Sequence, residues 1–294
     1  MIRPVKQVSK FIAAAAVLFV LIAWVSPVSA AMIQFKFDGW DGPELRVFVS
    51  RSPALAADRP VVFVMYGMKR NADEYREQWH ELAMGNDFLL VVPEFTNEDF
   101  PGSRGYALGN RVDEAGRPLP AKEWSYAAIE PLFDDVRRRF SLDAKTYAIY
   151  GHSAGAQFVH RFLFYEPGAR ISRAVLANAG WYMMPDSGIE YPYGLAGEDV
   201  PGGRLEQVLA MPITVLLGES DIDTEDPGLR RTPEALAQGA FRLERGRAYF
   251  EMARAWSEAN GSPFGWQLVT VPNVGHRNAL MAPAALPFLL PEVD

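Results

Sequence analysis

One pentapeptide in this sequence has both the composition and the context of a reactive turn. Gly151-His152-Ser153-Ala154-Gly155 matches G-x-S-x-G, a pattern in which a serine occupies a strained strand-to-helix turn. A turn that sharp brings the backbone on either side of the serine into close approach, so small residues are needed at both flanks. Tyr147 to Tyr150 is a short apolar run before it, and Phe158, Val159, Phe162 and Leu163 mark the apolar side of a helix after it. A serine hydroxyl is a weak nucleophile until a base takes its proton. The chain has four histidines. His80 falls inside the first helix and His160 inside the helix after the turn. His152 lies in the turn itself, with its side chain expected to point away from that of Ser153. His276, in Val274-Gly275-His276 beyond the last strand, alone occupies a loop that can be aimed at Ser153.

An imidazole base needs a third group to orient it and to stabilise its cation. Met211 to Leu217 reads as a strand leading into Gly218-Glu219-Ser220-Asp221. Asp221 is nearer the strand end than its aspartate rivals and is the expected acid. Asp223 is its rival, with Glu225 and Asp226 following. The plainer alternative is a solvated acidic loop, just as the pentapeptide alone is compatible with an unreactive turn. Taken together, Ser153, His276 and Asp221 would support acyl transfer to water through a covalent acyl-serine.

The elements that must position these groups alternate along the chain. Residues 32–37 and 44–50 read as an antiparallel pair around the turn Asp41-Gly42-Pro43. Val61 to Met65 is a continuous apolar run, as expected of a buried parallel strand. A helix begins at Asn71 with Glu74 as its capping partner, and Phe88 to Val92 is the next strand, closed by Pro93. Residues 95–124 read as a long loop. Ile129, Leu132, Phe133, Val136 and Phe140 form a helical stripe. Further strands are expected at 171–176, 213–217 and 266–271, with a long helix near 243–260 and a final apolar segment after His276. Buried strands alternating with amphipathic helices predict an α/β fold: a mostly parallel sheet with helices on both faces. In such sheets the active groups gather at the carboxyl ends of the strands.

Over nearly all of residues 31–294 the chain resembles the α/β-hydrolase superfamily, whose nucleophile–acid–base chain order is met by Ser153, Asp221 and His276. Tyr66-Gly67 with Asn71-Ala72, the pentapeptide, and Val271-Pro272-Asn273-Val274-Gly275-His276 are similar to secreted esterases of the polyhydroxybutyrate-depolymerase and feruloyl-esterase type. The resemblance implies a serine esterase that needs no cofactor. It also implies an oxyanion hole built from the backbone N–H groups of Met68, after the strand ending near Gly67, and Ala154, after the nucleophile. Residues 181–204 are rich in aromatic and methionine side chains. Trp181 and Tyr182 are candidates to line an apolar acyl pocket, against the alternative that the loop only packs down. Arg242, Arg245 and Arg247 either meet a substrate carboxylate or pair with surface acids.

The rest of the composition sets limits. Arg3, Lys6 and Lys10, the apolar run Phe11 to Val25, and Val28-Ser29-Ala30 read as a signal peptide cut after Ala30, giving a single domain over 31–294 and a periplasmic or secreted protein. A retained anchor is the alternative, although the run is short beside the ~20 residues of a membrane span. The net charge of −7 becomes more negative without those three cations, which argues against nucleic acid as a partner. With no cysteine, disulfides and thiolate sites are excluded. No H-E-x-x-H suggests a metal and no G-x-G-x-x-G a dinucleotide. The expected partner is a small ester substrate, with no stable membrane insertion. A serine peptidase or amidase shares the same triad, and a catalytically silent binding protein is the rival from another class. Oligomeric state is not readable from the sequence.

Overall fold

The structure, a computed structural model, describes residues 31–52, 55–198, 200 and 203–290. The segment 1–30 read as a signal peptide lies outside those residues. Among the described residues no helix is long and apolar enough to cross a membrane.

Eight strands form one sheet in the order β1-β2-β4-β3-β5-β6-β7-β8. They are β1 (Ala31–Phe37), β2 (Leu45–Arg51), β3 (Val61–Met65), β4 (Leu89–Glu94), β5 (Tyr147–His152), β6 (Ile171–Ala177), β7 (Ile213–Gly218) and β8 (Gln267–Val271). The first two pair antiparallel, β2 runs antiparallel to β4, and every pairing from β4 to β8 is parallel. The strands β3, β4, β5 and β7 are buried at every position. That is why they read as unbroken apolar runs: with helices above and below, neither face meets water. The edge strands β1 and β8 are partly exposed and correspondingly less uniform.

The helices are α1 (Ala72–Gly85), α2 (Gly102–Gly105), α3 (Ile129–Phe140), α4 (Ala154–Tyr165), α5 (Arg204–Ala210), α6 (Pro233–Ala237), α7 (Arg242–Asn260) and α8 (Asn278–Leu289). Helices α1 and α8 pack on each other and on the sheet, and α4, α5 and α7 form a second connected set against β3, β5, β6, β7 and β8. The amphipathic stripe of α3 puts Phe133 against Phe63 and Tyr147. Tyr106, within 95–124, and Tyr126, just after it, pack on Phe158 of α4, so the long loop is anchored by aromatic burial.

Two local expectations change. Pro93 does not close its strand. It stays paired with Val47 of β2, while pairing with β3 ends at Val91, so its missing N–H costs no bond on the β3 side. Asn71 precedes α1 but its side chain caps no backbone N–H. It donates to the Glu74 carboxylate instead, and Glu74 also accepts from Gln78 at 2.9 Å.

Parallel pairing from β3 through β8 brings the carboxyl ends of β3, β5, β6, β7 and β8 to one edge. The segments after β3, β5, β7 and β8 contain Met68, Ser153, Asp221 and His276, so residues distant in sequence become neighbours there.

Candidate active site

The turn at Ser153 is as tight as its glycines imply. Ser153 has φ 58° and ψ −118°, a conformation that costs a non-glycine residue about 1–3 kcal/mol and persists only where its surroundings enforce it. A Cβ on Gly155 would lie 2.0 Å from the Met65 carbonyl oxygen, and one on Gly151 would lie 2.3 Å from that of Gly155. No larger side chain fits at either place, so the backbone of α4 crosses β3 at contact distance. The Ser153 N–H donates to Ala177 O of β6 at 2.9 Å, fixing the turn on the neighbouring strand.

A continuous relay leads away from the serine. Ser153 Oγ is 2.9 Å from His276 Nε2, and His276 Nδ1 is 2.7 Å from Asp221 Oδ2. A carboxylate can only accept, so Nδ1 carries the proton and Nε2 is free to accept from the serine hydroxyl. The Asp221 side chain is 2% exposed. Asp223 is exposed, and its carboxylate accepts from the Glu225 N–H at 2.8 Å within its own turn. Of the two aspartates considered from sequence, Asp221 is therefore the one brought to the imidazole.

Backbone bonds between the acid and base loops hold this spacing. The Glu219 N–H donates to Val271 O at 3.0 Å and the Ser220 N–H to Val274 O at 2.9 Å. Asn178, buried at the end of β6, accepts from the Gly218 N–H at 2.8 Å and donates to Gly275 O at 3.2 Å. One side chain thus ties the acid strand to the histidine loop. The first residue of α8 is anchored too, since Asn278 accepts from Tyr150 Oη at 2.9 Å and donates to Gln78 of α1 at 2.6 Å.

The proposed oxyanion donors fall on either side of the serine. A Cβ on Gly67 would lie 3.5 Å from Ser153 Cβ, so the segment after β3 meets the turn. Among the described residues, no acceptor is hydrogen-bonded to the N–H of Met68 or of Ala154. Both amides are free to face a developing oxyanion.

Sequence reasoning left His152 and Tyr75 without a role, and the structure places both in the site. The His152 ring lies against that of His276, centroids 4.7 Å apart and planes 34° apart. Tyr75 Oη is 2.8 Å from His152 Nδ1. Burial, then the charges of His276 and Arg242, pushes His152 well below its usual range, and burial pushes Tyr75 upward. Tyr75 therefore keeps its proton and His152 stays neutral, the two sharing one hydrogen bond while His152 Nε2 is buried without a partner. A neutral ring packs on His276 without placing a second charge beside it. No signal in the sequence marks this pair, because Tyr75 and His152 belong to different elements.

Above the serine is an open cleft of about 740 Å³. Gly67, Met68, Tyr75, His152 and His276 contribute to its walls, together with the polar groups Lys69, Glu74, Gln78, Asp226 and Arg277. Lys69 and Arg277 are exposed, and neither makes a salt bridge among the described residues.

The aromatic loop after β6 is not part of that lining. Trp181 is 3% exposed and lies between the guanidinium groups of Arg161 and Arg230, at 4.3 and 5.0 Å from the ring centroid. Tyr182 is fully buried and stacks on Tyr249 of α7 at 4.4 Å. The expected apolar acyl pocket at these two residues is corrected: so much aromatic surface is more stable against α4 and α7 than facing an aqueous cleft. Arg245 is likewise structural, donating to the carbonyls of Gly180, Arg230 and Gly239, and Arg247 is exposed. Arg242 does reach the site, where it binds acids of the chain itself. Among the described residues no group of three or more His, Cys, Asp or Glu side chains could hold a metal ion.

The chain matches no protein-family model and no curated protein. Solved structures do match. Poly(aspartic acid) hydrolase-1 from Sphingomonas sp. KT-1 is 43% identical with a TM-score of 0.86, the match covering 88% of this chain and 98% of that one. LpqC, a poly(3-hydroxybutyrate) depolymerase from Bordetella parapertussis, is 34% identical with a TM-score of 0.82, over 88% and 90% of the two chains. An S-formylglutathione hydrolase from Agrobacterium tumefaciens shares the fold alone, at 17% identity and a TM-score of 0.54 over 88% and 94%.

Two variants check these placements. Asp221→Asn should lower turnover by about 10⁴-fold, because an amide favours the wrong imidazole tautomer, while Asp223→Asn should leave it near normal; steady-state kinetics of both decide, and a severe Asp223→Asn would move the acid by two residues. Trp181→Ala should lower stability by about 3–5 kcal/mol, the scale for deleting a buried aromatic, with kinetics per folded molecule unchanged. Denaturant melts and active-site-normalised rates read both quantities, and a selective rise in KM would return the loop to the cleft.

Proposed function

The chain belongs to the α/β-hydrolase superfamily, within its polyhydroxybutyrate-depolymerase and esterase type, and from that membership we propose that it is an exported serine hydrolase of carboxylic esters. The observation that carries the reading is the unbroken relay from Ser153 Oγ through His276 to the buried Asp221 carboxylate. Ser153 attacks the acyl carbonyl as its proton passes to His276 Nε2. Negative charge on the carbonyl oxygen is met by the N–H groups of Met68 and Ala154, each contributing roughly 3–4 kcal/mol to lowering the barrier. The imidazolium, stabilised by Asp221, then returns its proton to the leaving oxygen. Water, activated by the same imidazole, releases the acid and restores the serine.

The cleft favours a polar acyl chain over the apolar one expected from the aromatic loop, since its free side chains include Lys69 and Arg277. These two cations also support a second reading, cleavage of an anionic polyamide. The 43%-identical relative is a poly(aspartic acid) hydrolase, and a polymer of aspartic acid carries many carboxylates along an amide chain. Ester and amide cleavage use the same relay, so substrate choice rests on the cleft.

A panel of aryl esters of increasing acyl length, oligomeric 3-hydroxybutyrate and poly(aspartic acid) tests both readings, with rates followed from low to high salt. Esterase function predicts turnover of the neutral esters with little salt dependence. The polyamide reading predicts faster cleavage of poly(aspartic acid), falling steeply as salt screens the cations. No turnover of any ester contradicts the first reading, and salt-insensitive or absent polyamide cleavage contradicts the second. Export rests on the residues of the segment 1–30 and predicts Ala31 as the N-terminal residue of the protein recovered outside the cytoplasm. Recovery with Met1 intact contradicts cleavage.

A further inference from the structure

Arg242, at the start of α7, is 3% exposed and touches two carboxylates with one nitrogen. Its Nη1 is 3.3 Å from Asp221 Oδ1 and 2.9 Å from Asp226 Oδ2. Asp221 Oδ2, the other oxygen of the same carboxylate, is the partner of His276 Nδ1. The triad acid therefore divides its charge between the base and a buried arginine, and that arginine divides its charge between the triad acid and a second acid. We propose that Arg242 and Asp226 are a counter-charge couple that positions Asp221 and sets how readily His276 takes up a proton, with opposite signs from the two partners.

The packing makes the couple a built feature. The Leu243 N–H donates to Asp221 O at 3.3 Å, so the helix carrying Arg242 is also bonded to the backbone of the acid. Asp226 is fixed in turn by the Gly228 N–H, at 2.6 Å from its Oδ1, and a Cβ on Gly228 would lie 3.6 Å from Arg242 Nη2. The 226–228 turn thus covers the arginine at the wall of the cleft. Burial works to raise Asp226, but the hydrogen bonds from Arg242 and Gly228 and the charges of Arg242 and His276 outweigh it and hold the carboxyl below its usual range. Asp226 is therefore ionised through the neutral range and supplies a steady negative charge.

Each partner has a clear sign. The Arg242 guanidinium is always charged, and through the shared carboxylate it opposes the imidazolium. Asp226 offsets that charge, leaving Asp221 with enough field to orient and stabilise His276. Without Asp226, Arg242 would turn wholly to Asp221. The other groups around the cleft and base are His152 from the Ser153 turn, Lys69 from the segment after β3, Glu74 and Tyr75 from α1, and Arg277 beside the base. His152 and Tyr75 remain neutral. Lys69, Glu74 and Arg277 are unchanged in the variants below, so they contribute a constant background.

The inference rests on His276 being the base, and its test reads the imidazole directly so that it does not depend on the substrate assignment. NMR of nitrogen-15-labelled histidine in the full chain follows His276 protonation against pH, and the acid limb of kcat/KM on any ester that is turned over provides a second readout. Arg242→Gln should move both midpoints up by about one pH unit and Asp226→Asn should move them down, the scale of a nearby charge. Arg242→Lys, which keeps the charge, should remain close to the parent. Asp226 is at the half-buried rim, so Asp226→Asn retains a folded reporter if Arg242→Gln does not fold. Unmoved midpoints, or shifts of both in one direction, overturn the proposal, because a purely structural couple would lower activity without opposed shifts. Absence of ester turnover with opposed NMR shifts would overturn the proposed substrate and uphold the couple.

Discussion

The Asp221 carboxylate is almost wholly withdrawn from water, with 2% of its side chain exposed. A buried charge is costly unless it is paired and hydrogen-bonded, and here it is bound by His276 on one oxygen and Arg242 on the other. Much of the surrounding structure meets that demand. The start of α7 must lie against the segment after β7 to deliver Arg242. The loop after β8 must return over the same segment to deliver His276. Both requirements are met by backbone bonds that involve Asp221, Glu219 and Ser220. The orientation of the His276 imidazole toward Ser153 follows from neutralising one buried acid.

The parallel sheet makes this possible with short connections. Strands β5, β6 and β7 place Ser153, Asn178 and Asp221 after three successive carboxyl ends, and β8 adds His276 at the edge. Asn178 links two of these loops. The remaining rigidity comes from packing, as the two glycines of the turn let α4 approach β3 at backbone contact. Aromatic burial at Trp181, Tyr182 and Tyr249 supports the face opposite α1 and α8. The large aromatic side chains of that loop are engaged in this packing and take no part in the cleft lining.

What could be read from the sequence was what is encoded locally. The unbroken runs of β3, β4, β5 and β7 announce burial on both faces, and the sheet follows. The turn at Ser153 is legible because a strand, two glycines and a helix lie within twenty or so residues. Asp221 and His276 follow from their places just after strands. The groups that tune the site are contacts across the fold. Tyr75 meets His152, and Arg242 meets both Asp221 and Asp226, from separate elements, with no periodicity to mark them. Trp181 and Tyr182 misled for a related reason: an aromatic loop has one composition whether it packs down or lines a cleft, and only its neighbours Arg161, Arg230 and Tyr249 decide. The short helices α5 and α6 offer too few turns for a 3.6-residue pattern, and Pro283 and Pro287 conceal α8.

The central claim is that the relay makes Ser153, out of all the hydroxyls in the chain, a nucleophile. Treating the folded protein with a fluorophosphonate and mapping the adduct by mass spectrometry tests it without any assumption about the natural substrate. The account predicts one label per chain, carried by Ser153 and abolished in Ser153→Ala while the fold is retained. A label on another residue, or continued labelling of Ser153→Ala at the parent rate, would contradict it.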